Sequence, residues 1–130
     1  MMLFTTSQLG EAPDQVAPDG SEVRRLASGS NGSMAHFRLS PRAVSRPVAH
    51  RSVEELWFVV SGSGRMWRSS TQVEETVELR PGTSMSIPAG TTFQFRADGE
   101  EPLEVVGVTM PPWPGNEEAE ARTGIWVSTL

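Results

Sequence analysis

Residues 48–62 read VAHRSVEELWFVVSG, and residues 82–97 read GTSMSIPAGTTFQFRA. Each segment is a short apolar or alternating run bounded by Gly or Pro turns, which is typical of a β-strand. Successive side chains of a strand point to opposite faces, so Glu55, Trp57 and Val59 share one face, and Leu56 lies on the other with residues 58 and 60. The first face therefore sets a carboxylate beside an indole, an arrangement that is costly to bury if the acid is unpaired.

The same pattern continues on both sides of these segments. Apolar runs of about four to eight residues alternate with turns rich in Gly, Pro, Ser and Asp-Gly. The predicted strands are residues 23–27, 34–39, 55–60, 65–68, 73–79, 84–87, 92–97 and 103–110, with 124–127 as a candidate for the last strand. Residues 117–122 alone are predicted to be helical. Such a series of strands predicts a single all-β domain that forms a sandwich, a jelly roll or a barrel.

Prolines near both ends of the chain interrupt the strand pattern and divide the sequence into three parts. Residues 1–22 are predicted to be an N-terminal arm, because Pro13, Pro18 and the Asp19-Gly20 pair interrupt any periodicity. Residues 23–110 are predicted to form the barrel. Residues 111–130 are predicted to be a C-terminal strap with the last strand, in which Trp113 is the apolar anchor of the PPWPG segment.

Composition removes several kinds of chemistry. The 130 residues include no Cys, no Lys and no Tyr, so thiol nucleophiles, thiolate metal sites, Schiff bases and P-loops are excluded. Acid and base groups must come from Asp, Glu and the two histidines, His36 and His50. A chain of this length buries roughly two-thirds of its unfolded surface, so it needs no disulfide or structural metal to fold.

Charge and hydropathy limit the partners. The net charge of −5, with arginines scattered singly, argues against nucleic acid, which requires a basic patch. The longest uninterrupted apolar runs, such as residues 56–60, are about five residues, against the roughly 20 that a spanning helix needs, so no membrane partner is expected. The first residues lack a basic segment followed by an apolar one, and a cytoplasmic location is the expectation.

The two quoted segments resemble the signatures of the cupin family, G-x5-H-x-H-x(3,4)-E-x6-G and G-x5-P-x-G-x2-H-x3-N. The positions that match are His50, Glu55, Gly62, Gly82, Pro88 and Gly90. The positions that depart from the signatures are Arg42, Val48, Phe93 and Ala97. The resemblance implies a double-stranded β-helix, the cupin jelly-roll barrel, which commonly forms a homodimer.

The departures concern the family's metal ligands. Cupin enzymes commonly hold Fe, Mn, Ni or Zn with three His and one Glu. Val48 and Phe93 occupy two of the four ligand positions and have no donor atom. The sequence therefore predicts no tightly held metal. His36 is the only residue that could complete a set of two His and one carboxylate with His50 and Glu55, which keeps a divalent metal as an alternative.

These observations lead to one principal hypothesis of function. The chain is predicted to bind a small organic ligand in an aromatic-lined pocket, with His50 and Glu55 as an acid–base pair for isomerase-type proton transfer. The predicted pocket residues are Trp57, Trp67, Phe93 and Phe95, with Arg65 at the mouth as a clamp for a carboxylate. The same residues could also serve packing alone, so the sequence leaves open whether the protein is an enzyme.

Two alternatives stay open. One is a metal-dependent oxygenase or isomerase that uses His50, Glu55 and His36. The other is a structural or sensory homodimer without catalysis, whose barrel is filled by its own side chains. That last alternative predicts no cavity above about 300 Å³, the lower end for ligand pockets.

Overall fold

Two antiparallel sheets pack face to face in the computed structural model, which describes residues 3–130. Within those residues the strands are β1 (Gln15–Val16), β2 (Glu22–Ser28), β3 (Ser33–Leu39), β4 (Val48–His50), β5 (Glu54–Ser61), β6 (Gly64–Ser69), β7 (Glu74–Leu79), β8 (Ser84–Ile87), β9 (Thr92–Ala97), β10 (Leu103–Met110) and β11 (Ala119–Ala121). A 3-10 helix, Asn116–Glu118, precedes β11. No helix in this part of the chain is long and apolar enough to span a membrane.

The strands do not pair in chain order. The six-stranded sheet has the order β1-β2-β3-β10-β5-β8, and the five-stranded sheet has the order β11-β4-β9-β6-β7. The chain therefore crosses repeatedly from one sheet to the other, as a jelly roll requires. The core between the sheets is formed by large apolar residues from both, namely Leu39, Val48, Trp57, Val59, Met66, Leu79, Ile87, Phe93, Phe95, Leu103 and Val105.

Alternation along β5 decides which side chains enter this core. Glu55, Trp57 and Val59 are buried, whereas Leu56 and Phe58 on the opposite face are about half exposed. β10 alternates in the same way along its eight residues. The face predicted to combine a carboxylate with an indole is thus the inner face of the sheet.

The eight strands predicted from residue 23 to residue 110 are confirmed, with ends that shift by no more than one residue. The predictions for the tail are wrong. Residues 124–127 form no strand, and residues 117–122 form the end of the 3-10 helix and then β11 instead of a helix. β11 adopts an extended conformation because it pairs with β4, an interaction between distant segments that local pattern does not reveal.

Gln94 holds the tail against the outer face of the five-stranded sheet. Its side chain is completely buried, and its Nε2 donates to the carbonyls of Ser45 and Trp126, each at 2.9 Å. Its Oε1 accepts from the backbone N–H groups of Ile125 and Trp126, each at 3.0 Å. These hydrogen bonds satisfy backbone groups of residues 125 and 126 through a side chain, in place of the ladder that a strand would have used.

Replacing Gln94 by Leu should destabilise the protein by about 3 kcal/mol, because two N–H groups and two carbonyls lose their buried partner. The free energy of unfolding in urea measures this loss. Gln72 lies in the exposed turn between β6 and β7, so Gln72→Leu is the matched control and should change little. Equal stability of the two variants would show that the Gln94 hydrogen bonds do not secure the tail.

Candidate functional site

A cavity of about 290 Å³ lies at the inner face of the six-stranded sheet. Its walls come from β2, β3, β5 and β10, and from His50 at the end of β4. Residues 15–19 of the N-terminal arm border the cavity on one side, and residues 112–116 of the strap border it on another. Two segments that sequence patterns treat as appendages therefore complete the cavity.

His50 and Glu55 meet at the wall of this cavity. The imidazole Nδ1 lies 3.1 Å from Glu55 Oε2, and both side chains are more than nine-tenths buried. The two atoms are within ion-pair distance, but their alignment does not meet the geometry of a direct hydrogen bond. The other carboxylate oxygen, Oε1, accepts a hydrogen bond of 3.3 Å from the indole N–H of Trp57, its neighbour on the same strand face.

The residues that surround the pair are aromatic. The His50 ring makes edge contacts with Trp113, at 4.9 Å between ring centroids, and with Phe93, at 5.3 Å. Trp57 stacks on Phe37 at 5.6 Å and makes an edge contact with Phe95 at 5.0 Å. A ring-bearing or apolar ligand would therefore meet aromatic faces and edges close to the ionisable pair.

Gly107 on β10 makes room for the stacked rings. A Cβ built at this position would lie 2.8 Å from the Phe37 ring and 3.1 Å from the Trp57 ring, closer than side-chain atoms pack. Gly107 lines the cavity in the middle of a strand, where glycine is otherwise unfavourable. The glycine therefore helps set the shape of the cavity.

The structure places two of the predicted pocket residues elsewhere. Trp67 is the cross-strand neighbour of Gln94, and both lie on the outer face of the five-stranded sheet beneath the tail. Arg65 shares that outer face, is exposed, and faces Asp98 at 3.6 Å. Neither residue borders the cavity, because alternation along β6 turns Met66 inward in their place.

Of the other predicted pocket residues, Trp57 borders the cavity directly. Phe93 and Phe95 belong to the core behind it and reach the site through their contacts with His50 and Trp57. They support the wall of the cavity and do not form its surface.

His36 is not brought to the site. Alternation along β3 turns Phe37 toward the cavity and His36 to the outer face of the same sheet, where its Nε2 lies 3.2 Å from Glu104 Oε1. Burial lowers the pKa of this imidazole, and the nearby Arg24 and Arg38 lower it as well, while Glu104 opposes the shift. The set of His50, Glu55 and His36 considered for a metal is therefore not assembled.

Asp19 and Trp113 reach the cavity from outside the predicted site. Asp19 lies in the N-terminal arm and is 6% exposed, and Trp113 packs edge-on against the His50 ring. The sequence identifies Trp113 as the anchor of the strap, but it does not indicate that Trp113 packs on His50. A Pro-Asp-Gly sequence usually indicates a surface turn, so local pattern does not reveal the burial of Asp19.

The chain belongs to the cupin family, because the family model for the cupin domain matches residues 35–109. An uncharacterized protein of Methanocaldococcus jannaschii is 26% identical over 110 residues, which cover 81% of this chain and 84% of that protein. This family membership confirms the resemblance seen in the two signature segments.

Solved structures agree with the fold. A crystal structure from Bacillus halodurans has a TM-score of 0.65 at 20% identity and covers 72% of each chain. The oxalate decarboxylase of Bacillus subtilis has a TM-score of 0.76 at 16% identity, covering 93% of this chain and 33% of the decarboxylase. At these identities the likeness establishes the double-stranded β-helix that the sequence predicted, and it does not establish the activity.

The residues at the family's metal position do not fit a metal. Val48 and Phe93 face each other across β4 and β9, both buried in the core, and the Phe93 ring packs against His50. Within residues 3–130 no group of three or more His, Cys, Asp or Glu side chains is arranged to hold a metal ion. Two donors beside a phenyl ring are too few for a tight divalent site.

Restoring the two missing ligands tests this explanation. The double substitution Val48→His and Phe93→His should produce a protein that retains Fe, Mn, Ni or Zn near one ion per chain, measured by elemental analysis. A chain with Val48→Leu and Phe93→Leu controls for disruption of the core and should retain none. The same metal content in the unaltered chain would revive the metal-dependent alternative.

The lowered pKa of His36 predicts a pH-dependent stability. As the pH falls through the ordinary histidine pKa of about 6.5, the unfolded chain takes up a proton at His36 more readily than the folded chain, so stability decreases. His36→Gln should remove this part of the loss between pH 7.5 and 5.5, measured as the melting temperature. An NMR titration in which the folded-state His36 pKa lies at or above 6.5 would contradict the prediction.

Proposed function

We propose that this protein binds a small organic molecule in the cavity and that His50 and Glu55 transfer a proton to or from it. One observation carries the proposal: a His and a Glu, each more than nine-tenths buried, stand 3.1 Å apart at the wall of a cavity that is otherwise mostly aromatic and apolar. Ionisable groups are expensive to bury, and clefts that contain them are candidates for functional sites.

A purely structural role for His50 and Glu55 explains this arrangement less well than the proposed function does. The core of the barrel is apolar, and a hydrophobic pair would fill the same space without a desolvation cost. Glu55 also takes a hydrogen bond from Trp57, which orients the carboxylate toward the imidazole. Support of this kind is typical of a residue that must hold another in position.

The arrangement suits chemistry next to a carbonyl group. In this proposal the imidazole of His50 takes a proton from the carbon beside a ligand carbonyl and returns it to the ligand. The carboxylate of Glu55 stabilises the imidazolium that forms in between. No electrons leave the ligand, so an isomerisation or epimerisation needs no second reactant.

A second candidate is the structural or sensory homodimer. The cavity, at about 290 Å³, falls just below the limit of roughly 300 Å³ that this alternative predicts. The outer face of β5 presents Leu56, Phe58 and Val60, each 48% to 51% exposed, and apolar patches of this kind are typical of interaction surfaces. A homodimer could still bind a ligand in each cavity, so dimerisation does not conflict with the proposed function. A barrel that binds no ligand and has no chemistry would conflict with it.

A thermal-shift screen of small ketones, aldehydes, phenols and aromatic acids tests the proposal. Ligands should raise the melting temperature of the unaltered protein. His50→Gln, which keeps a polar side chain but cannot take up a proton at neutral pH, should lose most of this shift. Deuterium exchange at the carbon beside a bound ketone, followed by NMR in D2O, should fall at least tenfold in this variant.

His36→Gln is the matched control for that experiment. His36 is the other histidine of the chain, is equally buried and also lies beside a glutamate, but it is on the outer face of the sheet. Its replacement should leave ligand shifts and exchange unchanged. If His50→Gln responds to ligands as the unaltered protein does, the pair is not the site.

A further inference from the structure

Asp19 enters the cavity from the N-terminal arm, outside both family signatures. Its carboxyl group is buried and lies close enough to Glu55 and His50 to interact electrostatically with both. The cavity therefore contains two carboxyl groups and one imidazole. The proposed function uses only one of those carboxyl groups.

The position of Asp19 is held from several sides. Its Oδ1 accepts hydrogen bonds from the backbone N–H of Ser21, at 2.9 Å, and from the Ser21 hydroxyl, at 2.6 Å. Its carbonyl accepts from the backbone N–H of Arg46, at 2.8 Å. Gly20 follows with φ of +96°, and Leu130 packs where a Cβ would stand. The arm is thus built to fix this one side chain at the cavity.

Only one oxygen of the Asp19 carboxyl group is occupied by these contacts. Within residues 3–130, Oδ1 has its two partners in Ser21, and no protein hydrogen bond reaches Oδ2. An oxygen that borders a cavity and has no protein partner is available to a ligand or to water. The free oxygen of Asp19 is therefore available inside the same cavity as the His50 and Glu55 pair.

Burial of Asp19 disfavours the ionised form of its carboxyl group. Burial raises the pKa of its carboxyl group and Glu55 raises it further, while the Ser21 hydrogen bonds and His50 oppose the shift. Two other charged groups are near: Arg46, whose guanidinium bonds to the carbonyls of Leu130 and Pro18, and Arg25, which holds Gln15 at the rim. A protonated carboxyl group can donate a hydrogen bond to a ligand oxygen, which a carboxylate cannot do.

We infer that Asp19 is a third ligand-contacting residue, which donates a hydrogen bond from its free oxygen to the carbonyl oxygen of an uncharged ligand. This inference rests on the proposed function and names its substrate class as small uncharged aldehydes or ketones with an apolar or aromatic body. A carboxylate ligand is disfavoured, because it would place a second negative charge beside the buried Glu55. Arg25, which borders the cavity, is exposed and bound to Gln15.

The inferred role completes a balanced reaction. As His50 takes the proton from the carbon next to the carbonyl, the carbon–hydrogen bond breaks and its electron pair forms the double bond of an enol or enolate. Negative charge then grows on the carbonyl oxygen, where the hydrogen bond from Asp19 stabilises it. A buried carboxylic acid kept neutral at pH 7 performs this task in other proton-transfer sites. Return of the proton to carbon closes the cycle.

Two matched pairs of probes test the ligand class: acetophenone against benzoate, and cyclohexanone against cyclohexanecarboxylate. Binding to the full chain is measured by isothermal titration calorimetry and by the NMR shifts of the two histidines. We expect each ketone to bind at least tenfold more tightly than its anion and to shift the His50 signals but not those of His36. Equal or tighter binding of the anions, or no binding by either ketone, overturns the inference.

Two substitutions test the role of Asp19. Asp19→Leu should weaken ketone binding about tenfold, since one hydrogen bond is lost. Asp19→Asn keeps an acceptor for Ser21 and an N–H donor for the ligand, so it should bind ketones within about threefold of the unaltered chain. Ketone binding by the unaltered protein should weaken as the pH rises and Asp19 ionises, and Asp19→Asn should remove this dependence.

The result also separates the two proposals. If Asp19→Leu folds poorly, the role of Asp19 is tested by the pH dependence of ketone binding, compared between the unaltered chain and Asp19→Asn. Ketone binding that requires His50 but is indifferent to Asp19 and to pH would overturn this inference and leave the proposed function standing. Binding that is indifferent to His50→Gln would overturn both.

Discussion

The contact between His50 and Glu55 constrains the rest of this structure, because two ionisable side chains must be accommodated inside an apolar barrel. Removing such groups from water costs several kcal/mol each unless neighbouring dipoles and charges compensate. Trp57 supplies an N–H to the carboxylate, and each ring that surrounds the imidazole excludes water from it. The pair therefore dictates which aromatic residues must surround it.

The cavity beside this pair is built from parts that differ in kind. The sheet supplies the Trp57 and Phe37 rings and the glycine that lets them stack, and these are held by regular backbone pairing. The arm supplies Asp19 and the strap supplies Trp113. These segments are held in place by individual hydrogen bonds, such as that from the backbone N–H of Trp113 to the Ser33 hydroxyl. Rigid walls and separately anchored edges together allow a small ligand to be held from several directions.

Much of the barrel is predictable from local pattern. Period-two alternation in β5 and β10 indicates which residues share a face. Both faces of β5 carry large apolar side chains, so the choice of the buried face depends on how the sheets pack. The tail shows where this reasoning fails. Gln94 binds residues 125 and 126 through its side chain, and β11 pairs with β4, so long-range contacts override the local preference of both segments. The sequence predicts Trp67 and Arg65 in the pocket, but neither borders the cavity. The phase of β6 relative to the cavity depends on how the two sheets pack, which local pattern does not contain.

Strand alternation and turn residues predict an all-β domain, and the resemblance of two segments to the family signatures implies the cupin barrel. Side-chain chemistry at those matched positions predicts the pairing of His50 with Glu55 and shows that positions 48 and 93 have no donor atom. Folding in three dimensions settled the position of His36 on the outer face, and of Asp19 and Trp113 at the cavity. Their neighbours are distant along the chain. Which strand face a remote segment covers depends on the packing of two complete sheets, and no local pattern records it.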